Sequence, residues 1–549
     1  MTTIAQQINL FGEIEPLKIS IKDAAIHLGV SAATIRNWIK TGYLKKTGRN
    51  YVTVESLEKF QREIAGCNKL IKRANKSRKD WHDHTELTSL FVEKIKNDKY
   101  FSIDELGREY EKSLSDSFRN KEGIYYTPDD IVFDLIDLSG KDLRNATFCD
   151  PCCGSGNFVV AALSLGIKPS NIFAYDVDPV AIEITRERIY RKTGYRSNNI
   201  ILVDFLELVL SGKCETFDYI FTNPPWGKKY NKEYKDRLSV HFDIKSSLDS
   251  SSLFFFACMQ SLRDNGFLGL LLPESFFNIA VFEEARCNAL KYKIKRVIDY
   301  GKPFKGLVTK AQGIVLEKSY GDKKDLVCCT YNNNEFQRKI GSFQGNPKRI
   351  INLYCTNEDD EVISHVFSLP YITLKGHAKW ALGIVTGNNK KFIINTPRKG
   401  YIPVYKGSDI TKSGLKPVSC FIPSDLSIYQ QVAPIEFYHA EEKIVYKFIS
   451  SQLCFFYDIH KRFFLNSANI LIPEREFPVK MKVLGDVLSS QFMNWLFKRL
   501  FNTHKILRGD LESLPIHSQY LAGDVFDEDE YIENLGLERM GNGAFRVKK

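Results

Sequence analysis

The sequence predicts a mixed α/β protein built from several domains, and three observations lead to that fold class. First, the chain has 549 residues, which is more than a single hydrophobic core usually organises. Second, short apolar segments alternate with helical stretches between residues 121 and 320, a pattern typical of a mostly parallel sheet with crossover helices. Third, the chain before this region is rich in helix signals, whereas irregular, aromatic-rich strands follow residue 320.

The N-terminal segment has the pattern of a winged helix-turn-helix. Ser20 is a predicted helix cap, and Ser31 is predicted to begin a second helix. The segment Lys45 to Tyr51 is typical of a short hairpin, and another helix is expected from Val54. Helix, tight turn, helix and hairpin in this order form the layout of a winged helix-turn-helix.

This segment resembles the DNA-binding module of MerR-type regulators and excisionases. The resemblance makes Arg36 and Arg49 candidate DNA contacts. The alternative is a helical module that binds another protein. The basic run that follows, Lys69 to Lys79, is by default a solvated surface, and contact with phosphates is the other interpretation.

Six segments are predicted along the chain. They are a helix-turn-helix module, a helical linker, a parallel-sheet domain, connecting strands, a second mixed α/β domain and an acidic tail, at residues 1–65, 66–120, 121–320, 321–369, 370–520 and 521–549. We expect the tail to be loosely ordered.

Composition narrows the class of protein further. The formal net charge of +11 suits a polyanionic partner such as nucleic acid. Neither a signal peptide nor an apolar run long enough to cross a bilayer is apparent, so we expect a cytoplasmic protein. Cys149 and Cys152 form the one C-x-x-C, and without a second pair we expect neither a zinc site nor a redox role.

The first motif with chemical meaning is "FCDPCCGSGNF". Asp150 and Pro151 follow an apolar strand, and Gly154 and Gly156 open a helix. Glycines at such a turn let the backbone approach a ligand closely, at the strand ends where open α/β sheets bind ligands. Asp-Pro before G-x-G resembles the methionine-binding loop of S-adenosylmethionine methyltransferases.

Acidic residues follow the next two predicted strands. In "FAYDVDP", Asp176 is the candidate for binding both ribose hydroxyls, and Asp178 is expected to cap the next helix. The alternative is that both acids cap that helix. In "ILVDF", Asp204 is a candidate acceptor for the cofactor's adenine amine, and Phe205 a candidate for packing on its ring.

The decisive motif is Asn223-Pro224-Pro225-Trp226, which ends the apolar strand "FDYIFT". An aromatic amine is a poor nucleophile because its lone pair is delocalised. The side-chain oxygen of Asn223 and the carbonyl of Pro224 can each accept one N–H, which localises that lone pair. Trp226 offers a flat face on which the base can stack. The alternative is a stiff turn that closes a strand.

The order of these motifs resembles the γ class of amino-methyltransferases, the adenine-N6 DNA methyltransferases, over residues 121 to 520. The resemblance implies a Rossmann-like sheet with an antiparallel strand near its end, followed by a DNA target-recognition domain. It also implies S-adenosylmethionine as cofactor and an adenine flipped out of duplex DNA. Thr127 of "GIYYTP" would approach the methionine moiety, and Phe304 would lie next to the flipped base. Trp226 departs from the usual tyrosine or phenylalanine.

The segment Lys379 to Ile393 resembles part of the target-recognition domain of related modification enzymes. It makes Thr386, Gly387 and Asn388 candidates for a loop that lies on DNA. The alternative is an ordinary hairpin turn.

Three other functions compete with that of an adenine-N6 DNA methyltransferase. One is a related enzyme that acts on RNA or on a glutamine amide, and another is a DNA-binding regulator with an inactive methyltransferase fold. The third, a fused restriction nuclease, has no spare domain in this chain. A role in restriction-modification, with a separately encoded endonuclease as partner, remains compatible with the sequence.

Overall fold

The structure is a computed structural model that describes residues 18–27, 35, 36, 39, 44–47, 50–63, 108, 110, 125–136, 143–304, 307 and 309–548. Two compact units make up the chain. The first comprises Met1–Leu208 with Thr222–Lys229, and the second comprises Val209–Phe221 with Tyr230–Lys549.

The N-terminal module of the first unit has the predicted helix and hairpin. The hydroxyl of Ser20 accepts the backbone N–H of Asp23 at 3.1 Å, so the predicted cap is confirmed. A three-stranded antiparallel sheet of order β1-β3-β2 accompanies two helices. These elements are β1 (Lys18–Ser20), α1 (Ile21–His27), β2 (Lys46–Thr47), β3 (Tyr51–Thr53) and α2 (Val54–Glu63).

Several sequence predictions for this region concern residues outside those that the structure describes. Arg36 is described and is exposed. Arg49, the second predicted helix apart from residues 35, 36 and 39, and the linker 66–120 apart from residues 108 and 110 lie outside the described residues.

Three parallel strands in the order β4-β5-β6 form the sheet of the first unit. Helices connect successive strands, as the alternating pattern predicts, so that Asp150 and Asp176 are the last residues of adjacent strands. The elements are α3 (Asp129–Leu135), β4 (Phe148–Asp150), α4 (Asn157–Ser164), β5 (Ile172–Asp176), α5 (Pro179–Thr193), β6 (Ile200–Leu202) and α6 (Phe205–Leu210).

The second unit begins with a further alternation of strands and helices. The last strand of this set, β10, lies between β8 and β9 and is antiparallel to both, which confirms the predicted antiparallel strand. The elements are β7 (Phe217–Thr222), α7 (Lys232–Phe242), α8 (Ser250–Ser261), β8 (Leu262–Pro273), α9 (Glu274–Asn278), α10 (Glu283–Ala289), β9 (Tyr292–Gly301) and β10 (Ala311–Tyr320).

The segment predicted as connecting strands contains strands only in its first part. A hairpin of β11 (Leu326–Tyr331) and β12 (Asn334–Lys339) extends the sheet, because β11 pairs with β9 in parallel. Two helices follow it, α11 (Ile340–Gly345) and α12 (Asn357–Ser368). The apolar face of α12 packs into the C-terminal core through Val362, Ile363 and Val366.

The C-terminal region is mixed α/β, as predicted. Its sheets have the orders β13-β21-β18-β19, β17-β14-β20 and β15-β16. The elements are β13 (Ala378–Leu382), α13 (Asn389–Phe392), β14 (Tyr401–Tyr405), β15 (Ile410–Thr411), β16 (Gly414–Leu415), β17 (Cys420–Pro423), α14 (Ile435–His439), β18 (Lys443–Lys447), β19 (Phe455–Asp458), β20 (Phe463–Phe464), β21 (Ala468–Pro473), α15 (Met481–Ser489), α16 (Gln491–Phe501) and α17 (Arg508–Leu511).

The expectation of a loosely ordered tail is wrong. The last residues form α18 (Glu528–Asn534) and an antiparallel hairpin of β22 (Leu537–Arg539) and β23 (Phe545–Val547). The rings of Tyr531 and Phe545 are buried against Phe492, which joins the tail to the core of the C-terminal region. Acidic side chains at the start of α18 concealed this apolar face in the sequence.

Among the helices of the described residues, none is both long enough and apolar enough to cross a membrane.

Candidate active site

The glycine loop after β4 has the backbone geometry that its sequence predicts. Gly154 and Gly156 have φ angles of +50° and +85°, in the left-handed region that favours glycine. A Cβ on Gly156 would lie 2.7 Å from the hydroxyl oxygen of Thr185, and one on Gly154 would lie 3.0 Å from the Tyr126 ring. The hydroxyl of Thr185 donates to the carbonyl of Gly154 at 3.0 Å. The loop therefore lies in contact with Tyr126 on one side and with Thr185 of α5 on the other.

Two carboxyl groups, the buried one of Asp150 and the half-buried one of Asp176, flank this loop. The Asp150 carboxyl has no exposed surface and accepts the N–H of Cys152 at 3.2 Å. Burial raises the pKa of Asp150 to about 7. The carboxyl of Asp176 accepts N–H groups from Gly154 at 2.8 Å and from Asp178 at 2.9 Å. Burial and the nearby charge of Asp178 raise the pKa of Asp176 to about 6.

Asp178 has the capping role that the sequence predicts. Its carboxylate accepts the N–H of Val180 at 2.9 Å in the first turn of α5. Its other oxygen accepts the hydroxyl of Tyr110 at 2.5 Å, and that tyrosine is fully buried. With Asp178 engaged in these bonds, Asp176 is the acid that remains next to the glycine loop, and each of its oxygens keeps acceptor capacity for a further donor.

Asp204 and Phe205, which the sequence predicts as cofactor contacts, make their observed contacts within the protein. The carboxylate of Asp204 accepts the N–H of Leu206 at 2.9 Å at the start of α6. The Phe205 ring is only 1% exposed and lies against Tyr175, with ring centroids 5.6 Å apart. Packing of Phe205 on a cofactor ring stays a prediction that requires this ring to move.

An apolar residue that the sequence reasoning did not single out lies nearer the surface. Val177 directly follows Asp176 and is 52% exposed. An exposed valine at the end of a strand is unusual, because β-branched apolar residues are most often interior. Its position after the acid of "FAYDV" is the signal that points to it.

The Asn-Pro-Pro-Trp motif follows the last residue of β7. The amide nitrogen of Asn223 donates to the backbone carbonyl of Tyr125 at 2.6 Å. Its amide oxygen, Oδ1, is buried and accepts no hydrogen bond from any described residue. Trp226 is 8% exposed, and its ring lies 5.9 Å from that of Tyr125 at an interplanar angle of 43°. The motif therefore presents one buried, unused acceptor beside an aromatic pair.

Residues Tyr125 to Pro128, named the strap here, run between the glycine loop and the motif. Thr127 is 6% exposed, and its carbonyl accepts the amide N–H of Asn157 at 2.8 Å. The sequence reasoning identified Thr127 but not Tyr125 or Asn157. Hydrogen bonds and contacts of the strap bring together Thr127, Gly154 and Asn223.

The remaining candidates belong to other parts of the chain. Phe304 is 8% exposed and lies in the second unit, between β9 and β10. Gly387, with φ +78°, and Asn388 are exposed, and Asn388 caps the short helix α13.

The side chain of Thr386 is buried, and its hydroxyl donates to Asn389 at 2.5 Å within this loop. Contact of Thr386 with DNA stays a prediction. The hairpin alternative for this segment is wrong, because β13 pairs with the distant β21.

Comparison with known proteins supplies the class. A family model described as N-6 DNA Methylase matches residues 101–378, one described as TaqI-like C-terminal specificity domain matches residues 402–516, and a helix-turn-helix domain matches residues 19–64. The chain is 48% identical over 411 residues to the Type II methyltransferase M.VspI of Vibrio sp. (strain 343). The alignment covers 74% of this chain and all of M.VspI.

Other relatives are more distant. The Type II methyltransferase M.AccI of Acinetobacter calcoaceticus is 28% identical over 216 residues, 38% of each chain. The solved structure of the Type IIL restriction-modification enzyme MmeI in complex with DNA is 14% identical, with a TM-score of 0.49 over 74% of this chain and 69% of that one.

The Rossmann-like fold and the family match define an enzyme, a DNA methyltransferase that acts on the amino group of adenine. The chain belongs to the N-6 DNA methylase family. The resemblance to γ-class enzymes and the N-terminal helix-turn-helix are both confirmed. The alternatives of an RNA or glutamine substrate and of an inactive fold are not supported by this family membership.

Proposed function

We propose that this enzyme uses S-adenosylmethionine to methylate the amino group of an adenine flipped out of duplex DNA, with Asn223 and Pro224 as the residues that activate the amine. The observation that carries the proposal is the amide oxygen of Asn223, which is buried and accepts no hydrogen bond from the described residues. A buried acceptor without a partner costs about 1–3 kcal/mol. An incoming N–H donor would recover that energy.

The adenine amine is a donor of the required kind. It has two N–H groups, of which one can bond to Oδ1 of Asn223 and the other to the carbonyl of Pro224. Both bonds draw the amine toward tetrahedral geometry and localise its lone pair for attack. The rigid Pro224 and Pro225 fix the direction of the backbone at this point. Trp226 provides the aromatic face for the base, and Phe304 is the proposed second aromatic contact.

The residues of the first unit fit a sulfonium methyl donor. The donor supplies an electrophilic methyl group, and the chain supplies its binding surface. The left-handed glycines leave no room for side chains, which suits close approach of the backbone to a ligand. Asp176 is proposed to accept the ribose hydroxyls, with Val177 beside it. The full proposed set is Thr127, Asp150, Pro151, Gly154, Gly156, Asp176, Asp204 and Phe205.

We also propose a role as the modification enzyme of a restriction-modification system, with a separately encoded endonuclease as the partner. The names of M.VspI and M.AccI as Type II methyltransferases support this role. The proposed DNA contacts are Arg36, Arg49, Thr386, Gly387 and Asn388, and the net charge of +11 suits a duplex.

The test is methyl transfer from labelled S-adenosylmethionine to unmethylated DNA, followed by identification of the labelled nucleoside. The variant is Asn223→Ala. The matched control is Asn199→Ala, whose amide also donates to a backbone carbonyl, that of Ser170 at 2.9 Å. We expect N6-methyladenine with wild type and control, and a rate about 10²–10³-fold lower for Asn223→Ala.

Other outcomes would contradict the proposal in separate ways. Full activity of Asn223→Ala would remove the assigned role of the amide. Label in cytosine would overturn the base, and absence of label despite binding of S-adenosylhomocysteine would overturn the substrate or require a partner subunit. Mapping the methylated positions gives the target sequence.

A further inference from the structure

The amide of Asn223 can face the active site in two ways, and the strap selects one of them. A backbone carbonyl only accepts hydrogen bonds, so the carbonyl of Tyr125 requires the nitrogen of the Asn223 amide on its side. The oxygen then points away from the strap and is left without a partner among the described residues. The orientation needed to accept an amine is thus set by a backbone atom 98 residues away in sequence.

A second asparagine holds the strap at its other end. The amide nitrogen of Asn157 donates to the carbonyl of Thr127 at 2.8 Å. Nη1 of Arg188 donates to the amide oxygen of Asn157 at 2.6 Å and to the carbonyl of Ser155 at 2.7 Å. Because a guanidinium only donates, Arg188 requires the oxygen of the Asn157 amide on its side and directs the nitrogen to the strap.

Burial makes this second arrangement stringent. Arg188 is only 9% exposed, and hydrogen bonds to a buried charged group are roughly twice as strong as neutral ones. Asn157 is the first residue of α4, directly after Gly156, so it moves with the glycine loop. The Tyr126 ring, between the two clamped carbonyls, lies against Gly154.

We propose that Asn157 is a positioning residue for the methyl transfer: held by Arg188, it fixes the strap so that the Tyr125 carbonyl keeps Oδ1 of Asn223 directed at the target amine. Asn157 touches neither substrate in this scheme and acts through Thr127 and Tyr125. The inference rests on the proposed function of Asn223, which it extends from the motif to the network that orients it.

The substitution Asn157→Asp tests the network with almost no change in shape. Aspartate keeps an acceptor for Arg188 but has no N–H for the carbonyl of Thr127. We expect the single-turnover rate at saturating S-adenosylmethionine, on DNA that carries the mapped target, to fall about 10²-fold, as a small misplacement of a reacting group can cause. The affinity for S-adenosylhomocysteine, measured by calorimetry, should change by less than about threefold.

Two further variants separate positioning from general damage. Asn157→Ala also removes the donor, without adding a charge, and should lower the same rate with the same unchanged affinity; it decides the question if Asn157→Asp fails to fold. The matched control is Asn199→Asp, which removes the equivalent donor to Ser170 and should keep the wild-type rate.

Two results would overturn the inference. One is a wild-type rate in both Asn157 variants. The other is a loss of S-adenosylhomocysteine binding that equals the loss of rate, because Asn157 would then support only the glycine loop. Failure of the proposed function is distinguishable from both, since the wild-type protein would then methylate no DNA adenine.

Discussion

Glycine is required at position 156 for two separate reasons: the backbone is left-handed, and there is no space for a side chain. Gly194, the C-cap residue that follows α5, has a similar φ of +71° but open space where a Cβ would stand. In Gly156, by contrast, that Cβ would lie 2.7 Å from the hydroxyl of Thr185. The pair therefore separates backbone strain from steric exclusion in the same unit.

We expect Gly194→Ala to lower the free energy of unfolding by about 1–2 kcal/mol, the cost of a left-handed L-residue. Gly156→Ala should cost at least about 1–3 kcal/mol more, the usual penalty of overpacking, and should also weaken binding of S-adenosylhomocysteine. Urea unfolding and calorimetry measure the two quantities. Equal destabilisation by the two substitutions would show that the contact with Thr185 relaxes freely.

For single residues, the sequence predicts a role where that role depends on residues adjacent in the chain. Gly154, Gly156 and Asn223 stand in short motifs, and the residues of each motif together indicate its chemistry. Tyr125 and Asn157 could not be found in that way, because their roles arise from hydrogen bonds that span 98 and 30 residues. Tyr125 moreover contributes a carbonyl, which any residue type has.

Among the elements, the pairing of β18 with β19 depends on a buried ion pair. Lys443 and Asp458 face each other across the two strands, and neither side chain has exposed surface. The ammonium lies 2.8 Å from the carboxylate and donates to the carbonyl of Tyr438, while Arg462 also bonds to the carboxylate at 2.7 Å. Burial lowers the pKa of Lys443. The group is therefore stable only when complete.

We expect Asp458→Asn to lower the free energy of unfolding by about 3–5 kcal/mol, because it leaves the buried ammonium without its counter-charge. The double variant Lys443→Met with Asp458→Leu should recover most of that loss. Urea unfolding at pH 7 is the measurement. A single variant as stable as the wild type would mean that the ammonium becomes neutral at little cost.

The same pair predicts a pH dependence. Burial raises the pKa of Asp458, but the hydrogen bonds from Lys443 and the backbone of Arg462 outweigh it and hold the pKa below its usual range. A depressed pKa means that the stabilisation is present above the unfolded pKa of about 4 and is lost as the pH falls through the folded value. Unfolding followed between pH 7 and pH 3 should show a smaller acid-induced loss for Asp458→Asn than for the wild type.

Elements of the first sheet could be predicted because strand, turn and helix alternate along the chain in the order in which they pack. The C-terminal sheets could not, since their partners are remote in sequence: β13 pairs with β21, and β14 with β20. Likewise, α18 shows four acidic residues at its start and end, whereas its buried Tyr531 and Ile532 give too short an apolar pattern to predict a helix.

For the whole molecule, the matched families account for a methylase region followed by a specificity domain. The sequence leaves open what the N-terminal module contributes. M.VspI matches 74% of this chain with its entire length, so about a quarter of the chain has no counterpart in that relative. This module matches a helix-turn-helix domain at residues 19–64, its Arg36 is exposed, and we propose that it binds DNA.

Deletion of residues 1–65 should therefore weaken DNA binding chiefly by removing phosphate contacts. Removal of one arginine–phosphate interaction reduces the slope of log K against log salt by about 0.9, so removal of both Arg36 and Arg49 predicts a slope shallower by about 2. Fluorescence anisotropy between 50 and 200 mM salt, a range in which such slopes are steep, measures it. Arg36→Ala in the full chain should give about half of that change.

The control for charge alone is Arg546→Ala, on the C-terminal hairpin, where the arginine pairs with Glu538. It removes the same charge as Arg36→Ala, so a slope that responds equally to both would reflect net charge and not a contact. An unchanged slope after deletion, with methylation intact, would assign the module to protein binding or folding. A shallower slope with unaltered target sequence would place the module's contacts on phosphates, because contacts to bases would change which adenines are methylated.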